Sequence, residues 1–176
     1  MTRRLLAVLV AGALVAAPAL ASAQLSTSLS VAAGLAIPTG DLANGAKTGY
    51  NAAVGLDLGG PVIPFGVRLE GSYTSFDSKV SGGGSANLIA GIANAVLSLS
   101  PGIISPYVIG GVGFYSAGGS GCTGGCSRQT GAGANGGGGI KFGLGGLSTF
   151  AEIRYHVVRI QGSNTQFIPI TFGVSF

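Results

Sequence analysis

Apolar and polar residues alternate along most of the chain after residue 28. In one such segment Val67 and Leu69 flank Arg68. Because successive side chains of a strand point to opposite faces of a sheet, this period of two predicts β-strands with one apolar and one polar face. Eight segments of this kind recur, each close to the length of a membrane-crossing strand, about 9–11 residues. They cover 29–37, 50–58, 65–74, 87–99, 107–115, 133–144, 150–157 and 168–176.

The connections between these segments alternate in length. Long connections are predicted at 38–47, 75–85, 116–131 and 158–165, and short ones at 59–61, 100–102 and 145–146. Bacterial outer-membrane barrels have long loops on the outer side and tight turns on the periplasmic side. The pattern therefore predicts an all-β fold, an eight-stranded antiparallel up-and-down transmembrane β-barrel with both termini facing the periplasm.

The fourth segment also fits a helix. Leu88, Ile92 and Val96 follow helical spacing, and Ser85 could cap a helix that begins there. A helix at this place would leave an odd number of strands, whereas bacterial single-chain barrels have an even number. We therefore predict a strand.

The charged residues indicate which face of the barrel meets lipid. Within the segments they fall on the polar parity, at Asp57, Arg68, Glu70, Lys141, Glu152 and Arg154. The others after residue 28 are assigned to long connections, at Asp41, Lys47, Asp77, Lys79, Arg128 and Arg159. Because a charge facing lipid at mid-membrane costs about 2–4 kcal/mol, this distribution favours an apolar face turned to hydrocarbon. The alternative is a soluble barrel with apolar side chains inside, whose surface would carry few charges.

The N-terminus has the features of an export signal. Arg3 and Arg4 precede an unbroken apolar run at 5–17, and Ala21-Ser22-Ala23 has the small-x-small pattern of a signal peptidase site. An uncleaved spanning helix would need about 20 apolar residues, and Pro18 interrupts this run. We predict a cleaved signal peptide at 1–23 and an exported barrel domain at 24–176.

Composition narrows the class of protein further. Charged residues make up 8% of the chain, hydrophobic ones 47%, and 34 residues are glycine. Disordered chains are rich in charge and poor in aliphatic residues, so this composition favours a folded chain with many strands and turns. Removal of Arg3 and Arg4 with the signal lowers the formal net charge from +4 to +2. That excess is too small and too scattered to indicate nucleic-acid binding.

Three segments carry a resemblance to a known family. Pro106–Gly113, Phe150–His156 and Ile168–Phe176 resemble the small outer-membrane β-barrel family, which includes the OmpA transmembrane domain and the opacity-type surface proteins. The resemblance covers the whole predicted exported chain and implies a location in the bacterial outer membrane. It also implies that Phe176 acts as the signal read by the barrel-assembly machinery. No peptidoglycan-binding domain follows the barrel, so a wall-tethering role is not implied.

The charges on the polar parity form the first candidate site. A barrel of about eight strands is just wide enough for side chains to fill its interior, and buried charges must be paired. We therefore expect a salt-bridge network in the lumen, built from Asp57, Arg68, Glu70, Lys141, Glu152 and Arg154, with His156 on the same face. The alternatives are a gated ion path through the same groups and paired carboxylates that do acid–base work.

His156 is the only histidine of the chain. Lipid A-modifying barrels use a histidine with a serine and an acid, but position 158 is Val, and Ser148 lies at the other end of the segment. Since a triad depends on this geometry, we expect a hydrogen-bonded structural histidine. No catalytic residue and no cofactor is predicted.

Cys122 and Cys126 lie in the longest predicted connection. Exported cysteines most often pair in an oxidising compartment, so we predict an intramolecular disulfide at the tip of this loop. Zinc needs about four ligands, and the two cysteines have no further Cys or nearby His to complete such a set. Redox chemistry of the CxxC kind does not fit the CxxxC spacing. The glycine-rich run at 131–139 lacks the Lys-Ser/Thr of a phosphate-binding loop, and it indicates curvature or close packing against a bulky neighbour.

These features predict a non-enzymatic surface protein that supports envelope integrity or contacts outside partners through its loops. The expected partners are outer-membrane lipid, lipopolysaccharide and the barrel-assembly machinery, with no nucleic acid. The loop cations Lys47, Lys79, Arg128 and Arg159 could contact lipopolysaccharide phosphates. A narrow channel for ions or small solutes and a lipid A-modifying enzyme are the alternatives.

Overall fold

Eight antiparallel strands close into a single barrel in chain order, and β1 pairs with β8 as well as with β2. The computed structural model describes residues 26–59, 64–80, 84–100, 102–120, 127–144 and 146–176. The strands are β1 (Ser26–Thr39), β2 (Gly49–Gly59), β3 (Phe65–Asp77), β4 (Ser85–Ser98), β5 (Ile104–Gly119), β6 (Gln129–Leu144), β7 (Leu147–Ile160) and β8 (Ser163–Ser175). A short helix, α1 (Leu42–Gly45), lies between β1 and β2. The predicted barrel, with a strand in the fourth position, is confirmed.

The two ends of the barrel differ in their connections. The strand ends that flank the connections 40–48, 78–84 and 120–128 lie at one end, together with the turn at 161–162, and we call it the long-loop end. The strand ends that flank the connections 60–64, 99–103 and 145–146 lie at the other, the short-turn end, as do Ser26 and Phe176. No helix in the described ranges is long and apolar enough to cross a membrane.

Each strand directs alternate side chains into the lumen. In β3, Arg68 and Glu70 are buried, whereas Val67 and Leu69 are 46% and 47% exposed on the outer face. The alternation that predicted the strands is therefore the alternation between the two faces of the barrel. It places apolar side chains outside along most of the wall.

Aromatic side chains form a ring near each end of the outer face. The ring toward the long-loop end contains Tyr50, Tyr73, Phe114 and Tyr155, and the ring toward the short-turn end contains Phe65, Phe142, Phe172 and Phe176. Aliphatic side chains lie between the rings. This arrangement of aromatic girdles around an apolar band is typical of barrels that cross the outer membrane.

The connection between β7 and β8 is shorter than predicted. β7 continues to Ile160 and β8 begins at Ser163, so only Gln161 and Gly162 form the turn, with φ of 47° and 84°. Two residues with positive φ make a hairpin turn whose twist suits antiparallel strands. The predicted long connection at 158–165 is therefore wrong. Arg159, which was assigned to that connection, lies within β7 and is exposed on its outward face.

The glycines of β6 make room for bulky neighbours in the lumen. A Cβ added to Gly133 would lie 2.8 Å from Cε2 of Tyr115, and one added to Gly139 would lie 2.5 Å from the Tyr107 hydroxyl. Both glycines point into the lumen beside these tyrosines on β5. The glycine-rich strand thus reflects close packing, as the sequence indicated.

Candidate functional site: the lumen

Charged residues of β3 and β7 face each other across the lumen. The two strands are four positions apart in a barrel of eight, so they lie on opposite walls and run in the same direction. β3 presents Arg68 and then Glu70, while β7 presents Glu152 and then Arg154. Opposite charges therefore meet at the same height.

Four ion pairs join these residues into one chain. The distances are 2.6 Å from Arg68 Nε to Asp57 Oδ1, 3.0 Å from Arg68 Nη1 to Glu152 Oε2, 2.8 Å from Arg154 Nε to Glu152 Oε1, and 2.8 Å from Arg154 Nη2 to Glu70 Oε1. We call these five residues the charge network. Because an unpaired buried charge costs several kcal/mol, this pairing is what allows the network to be stable inside the barrel.

Two aromatic residues support the network from the walls. The Tyr107 hydroxyl donates a hydrogen bond of 2.7 Å to Oε2 of Glu152. The Arg68 guanidinium lies 5.0 Å from the ring centroid of Phe150, an arrangement that attracts a cation to the ring face. Phe150 occupies the polar parity of β7 because its ring lies beneath this guanidinium.

Two residues of the predicted network lie outside the ion pairs. Lys141 is half-buried and lines a cavity of about 600 Å³ at the short-turn end, together with Asp57 and Arg68. In the described part of the chain it has no carboxylate within salt-bridge distance. His156 is buried farther along the lumen, where its Nδ1 shares a 3.0 Å hydrogen bond with the Tyr115 hydroxyl and its ring stacks on Phe167 at 4.8 Å.

The surroundings of His156 do not form a triad among the described residues. Its hydrogen-bond partner is a tyrosine, and Ser148 lies near the opposite end of β7. No group of three or more metal-ligating side chains is present in the ranges that the structure describes. The contacts that the structure shows for His156 are the hydrogen bond with Tyr115 and the stacking on Phe167.

The lumen toward the long-loop end is filled by apolar side chains, a feature that sequence analysis missed. Phe76 and Phe167 are each 1% exposed and meet edge to face, with centroids 5.7 Å apart. We call the cluster around them the apolar plug; its buried members are Ala36, Ala46, Phe76, Leu88, Ala90, Ile92, Tyr115, Val158, Ile160 and Phe167. The rule that apolar side chains point to lipid therefore fails in this half of the barrel.

The loop at 40–48 covers the plug from outside. Leu42 of α1 packs against the plug, and Ala46 is part of it. The Lys47 N–H donates to the Asp77 carbonyl at 2.8 Å, and the Lys79 N–H donates to the Gly45 carbonyl at 2.9 Å. These bonds hold the loop against Asp77 and Lys79 at the end of β3.

Three other predicted features are the signal peptide, the disulfide and the assembly signal at Phe176. The signal peptide at 1–23 and the Cys122–Cys126 disulfide lie outside the described residues. Phe176 follows β8, exchanges backbone hydrogen bonds of 2.8 and 2.9 Å with Leu29, and is 59% exposed on the outer face. The C-terminal residue is thus part of the seam that closes the barrel.

The closed barrel, the two belts of aromatic side chains on its outer face and the ion-paired charges in its lumen define the class of eight-stranded outer-membrane barrel proteins. The chain belongs to the family described as outer membrane protein beta-barrel domain, whose model matches residues 6–176. It is accordingly a bacterial outer-membrane protein. No curated protein matches the chain.

Solved structures of the same fold come from several bacteria. Neisserial surface protein A matches with a TM-score of 0.70 at 16% identity, over 85% of this chain and 95% of that one. The N-terminal β-barrel domain of Pseudomonas aeruginosa OprF matches with a TM-score of 0.54 at 19% identity, over 87% and 100%. A major outer membrane protein from Thermus thermophilus matches with a TM-score of 0.53 at 13% identity, over 86% and 98%. At these identities the likeness shows the fold alone.

Proposed function

We propose that this protein is a closed, non-enzymatic outer-membrane barrel that acts as an envelope component or through its long-loop end at the cell surface. The observation that carries the proposal is the apolar plug stacked on the charge network. Conduction needs a continuous polar path, and an apolar constriction blocks ions by excluding water. The lumen therefore supports a sealed barrel better than it supports the channel alternative.

The long-loop end is the part available to outside partners. Its loops carry Asp41, Lys47, Lys79 and Arg128 at exposed positions. Loops on a rigid scaffold are where binding residues concentrate, and the cations among them suit the phosphates of lipopolysaccharide. Neisserial surface protein A, which has the same fold, is by its name a surface protein.

We also propose that Phe176 is the residue by which the barrel-assembly machinery recognises the chain. Its backbone completes the β1–β8 seam and its ring lies exposed on the lipid face. A terminal aromatic in this position is accessible before the seam closes. The barrel-assembly machinery would therefore contact Phe176 during insertion of the barrel.

Planar-bilayer recording of the purified barrel tests the closed state. We expect no conductance steps at moderate voltage, because the plug interrupts the polar path. A steady open state that is lost in Arg68→Ala or Glu152→Ala would establish the channel instead.

For the enzyme alternative, lipid A mass spectra with and without expression should be identical, and a mass shift abolished by His156→Ala would overturn the proposal.

A further inference from the structure

An apolar groove of about 1080 Å³ runs across the outer face of the barrel. Its floor is made of small outward residues on β3, β4 and β6, namely Gly71, Gly91, Ala93, Ala132 and Ala134. Its walls are bulkier and include Val54, Leu69, Val112 and Phe114. Gly71 and Gly91 are direct partners in the β3–β4 ladder, so the wall is thinnest where these strands meet.

Arg159 stands at the end of this groove that lies toward the long-loop end. It pairs with Ala132 in the β6–β7 ladder, is exposed, and lines the groove. Its polar contact is a marginal one of 3.5 Å from Nε to Oδ1 of Asn164, and no carboxylate among the described residues lies within salt-bridge distance. The guanidinium is therefore available to an anion.

The height of Arg159 fits a lipid headgroup. It lies four residues beyond Tyr155 of the aromatic ring and directly precedes Ile160, where β7 ends. Charges on a lipid-facing wall are tolerated near the interface and costly at the midplane. The groove below it faces acyl chains, so one surface combines a cation at headgroup level with an apolar trough beneath.

We propose that Arg159 and the groove bind one phosphorylated, multiply acylated lipid of the outer leaflet, with the chemistry of lipid A. A phosphate accepts hydrogen bonds from the Arg159 guanidinium, and an acyl chain lies over Gly91 and Ala93. Charge complementarity favours this lipid over a second copy of the chain, which would bring another cationic Arg159 to the same surface. The inference gives a site to the lipopolysaccharide contact proposed above and does not depend on the closed lumen.

Two variants and two matched controls test the site. Arg159→Gln removes the cation, and Lys141→Gln removes a cation that lies in the lumen at the short-turn end, away from the groove. Gly91→Leu fills the floor, and Gly136→Leu adds the same side chain to the outer face of β6 outside the groove. A Cβ at either glycine meets nothing within 4 Å, so both leucine variants should fold.

The measurement is native mass spectrometry of the folded barrel in detergent, titrated with lipid A or with phosphatidylcholine. We expect one lipid A per barrel, bound in preference to phosphatidylcholine. Arg159→Gln should weaken lipid A binding about fivefold, the effect of one cation near an anionic surface, and Gly91→Leu should also weaken it. Both control variants should bind like the wild type.

Other results overturn the site. These are equal binding of the two lipids, unchanged lipid A binding in Arg159→Gln or Gly91→Leu, and an equal loss in either control. A two-chain species that disappears in Gly91→Leu would assign the groove to a second copy. Conductance recordings are independent of all these outcomes, so failure of the lipid site and failure of the closed-lumen proposal can be told apart.

Discussion

Inside the lumen, the glycines of β6 and the tyrosines of β5 are matched in size. Gly133 has no side chain where the ring of Tyr115 lies, and the ring in turn reaches His156. Cores of this kind tolerate added volume poorly because neighbouring atoms are already in contact. The glycines of β6 are thus part of the packing as well as of the backbone.

Gly133→Ala should destabilise the barrel. The added Cβ would lie 2.8 Å from Cε2 of Tyr115 and 2.8 Å from the Val157 carbonyl oxygen, and overpacking typically costs about 1–3 kcal/mol. Gly136→Ala is the control, since a Cβ there meets nothing within 4 Å. The two variants are compared by urea unfolding in lipid vesicles. Unfolding is followed on gels as the loss of the folded band, whose migration changes when the sample is boiled. Equal unfolding midpoints would contradict the packing described here.

Glu152→Gln should destabilise the barrel more strongly than the loss of the lumen charge of Lys141. Glu152 bridges Arg68 and Arg154, each of which keeps a second carboxylate in the variant, so the loss should not exceed about 3–5 kcal/mol, the cost of removing one partner from a buried ion pair. Lys141→Met is the matched comparison, because Lys141 makes no ion pair among the described residues. The same unfolding assay should show a large loss for the first and a small change for the second. Losses of equal size would contradict the pairing.

Part of this residue-level arrangement could be predicted from the sequence. Parity placed Arg68, Glu70, Glu152 and Arg154 in the lumen, and the order Arg-x-Glu on one segment and Glu-x-Arg on another is complementary. Which segments face each other depends on the strand count, so the pairs follow only once a closed barrel of eight is assumed. Parity gives the face on which a residue lies but not how far its side chain reaches. It therefore could not predict that Lys141 lies outside the ion pairs.

At the scale of elements, alternation sufficed wherever one face of a strand was polar. It located β2 and β3 within three residues of their observed bounds. It was ambiguous in β4, where Leu88 and Ile92 point into the plug and Ile89 points to lipid, so that both faces are apolar. Such a strand resembles a helical pattern, and the even strand count was needed to decide.

The end of β7 shows where alternation misleads. Val158 and Ile160 are buried in the plug while Arg159 lies outside, which reverses the polarity of the rest of the strand. A reversal of this kind is indistinguishable from a loop when only the sequence is considered. The strand continues because the plug supplies apolar partners for its inward side chains.

Phe176→Ala should reduce the amount of assembled barrel in cells severalfold, if Phe176 is the residue that the assembly machinery recognises. Phe172→Ala is the control, since Phe172 is also outward on the last strand and 68% exposed. The measurement is the amount of heat-modifiable protein in the outer-membrane fraction. Equal amounts for the two variants would show that the terminal ring has no special role.

At the scale of the whole molecule, the lumen is layered along the barrel axis. A cavity lined by Asp57, Arg68 and Lys141 opens at the short-turn end, and the charge network lies beyond it. The apolar plug fills the lumen toward the long-loop end, where Leu42 of the loop at 40–48 packs against it. A buried hydrogen bond of 2.9 Å from the Asn135 amide to Asn94 Oδ1 joins β6 to β4, where Asn94 pairs with Arg68 in the β3–β4 ladder. Sequence parity gave the charged layer but not the plug, because it identified apolar side chains with the lipid face.

Polar substitution within the plug should open the barrel. The double variant Phe76→Ser and Phe167→Ser removes the two rings that meet across the lumen and lets water enter the constriction. We expect conductance steps in planar bilayers for this variant and none for the wild type. Phe114→Ser, on the outer face, should stay closed. A silent double variant would place the seal elsewhere.

The orientation of the two faces can be measured with one tryptophan at a time, because the chain contains none. Phe114 is 73% exposed on the outer face, and the adjacent Tyr115 is 1% exposed in the lumen. Phe114→Trp and Tyr115→Trp, each folded into vesicles with brominated acyl chains and checked for heat-modifiable mobility, therefore differ only in the face that they probe. The structure predicts strong quenching of the first and little of the second. Equal quenching, or quenching of Tyr115→Trp alone, would contradict a barrel whose outer face meets lipid around a sealed lumen.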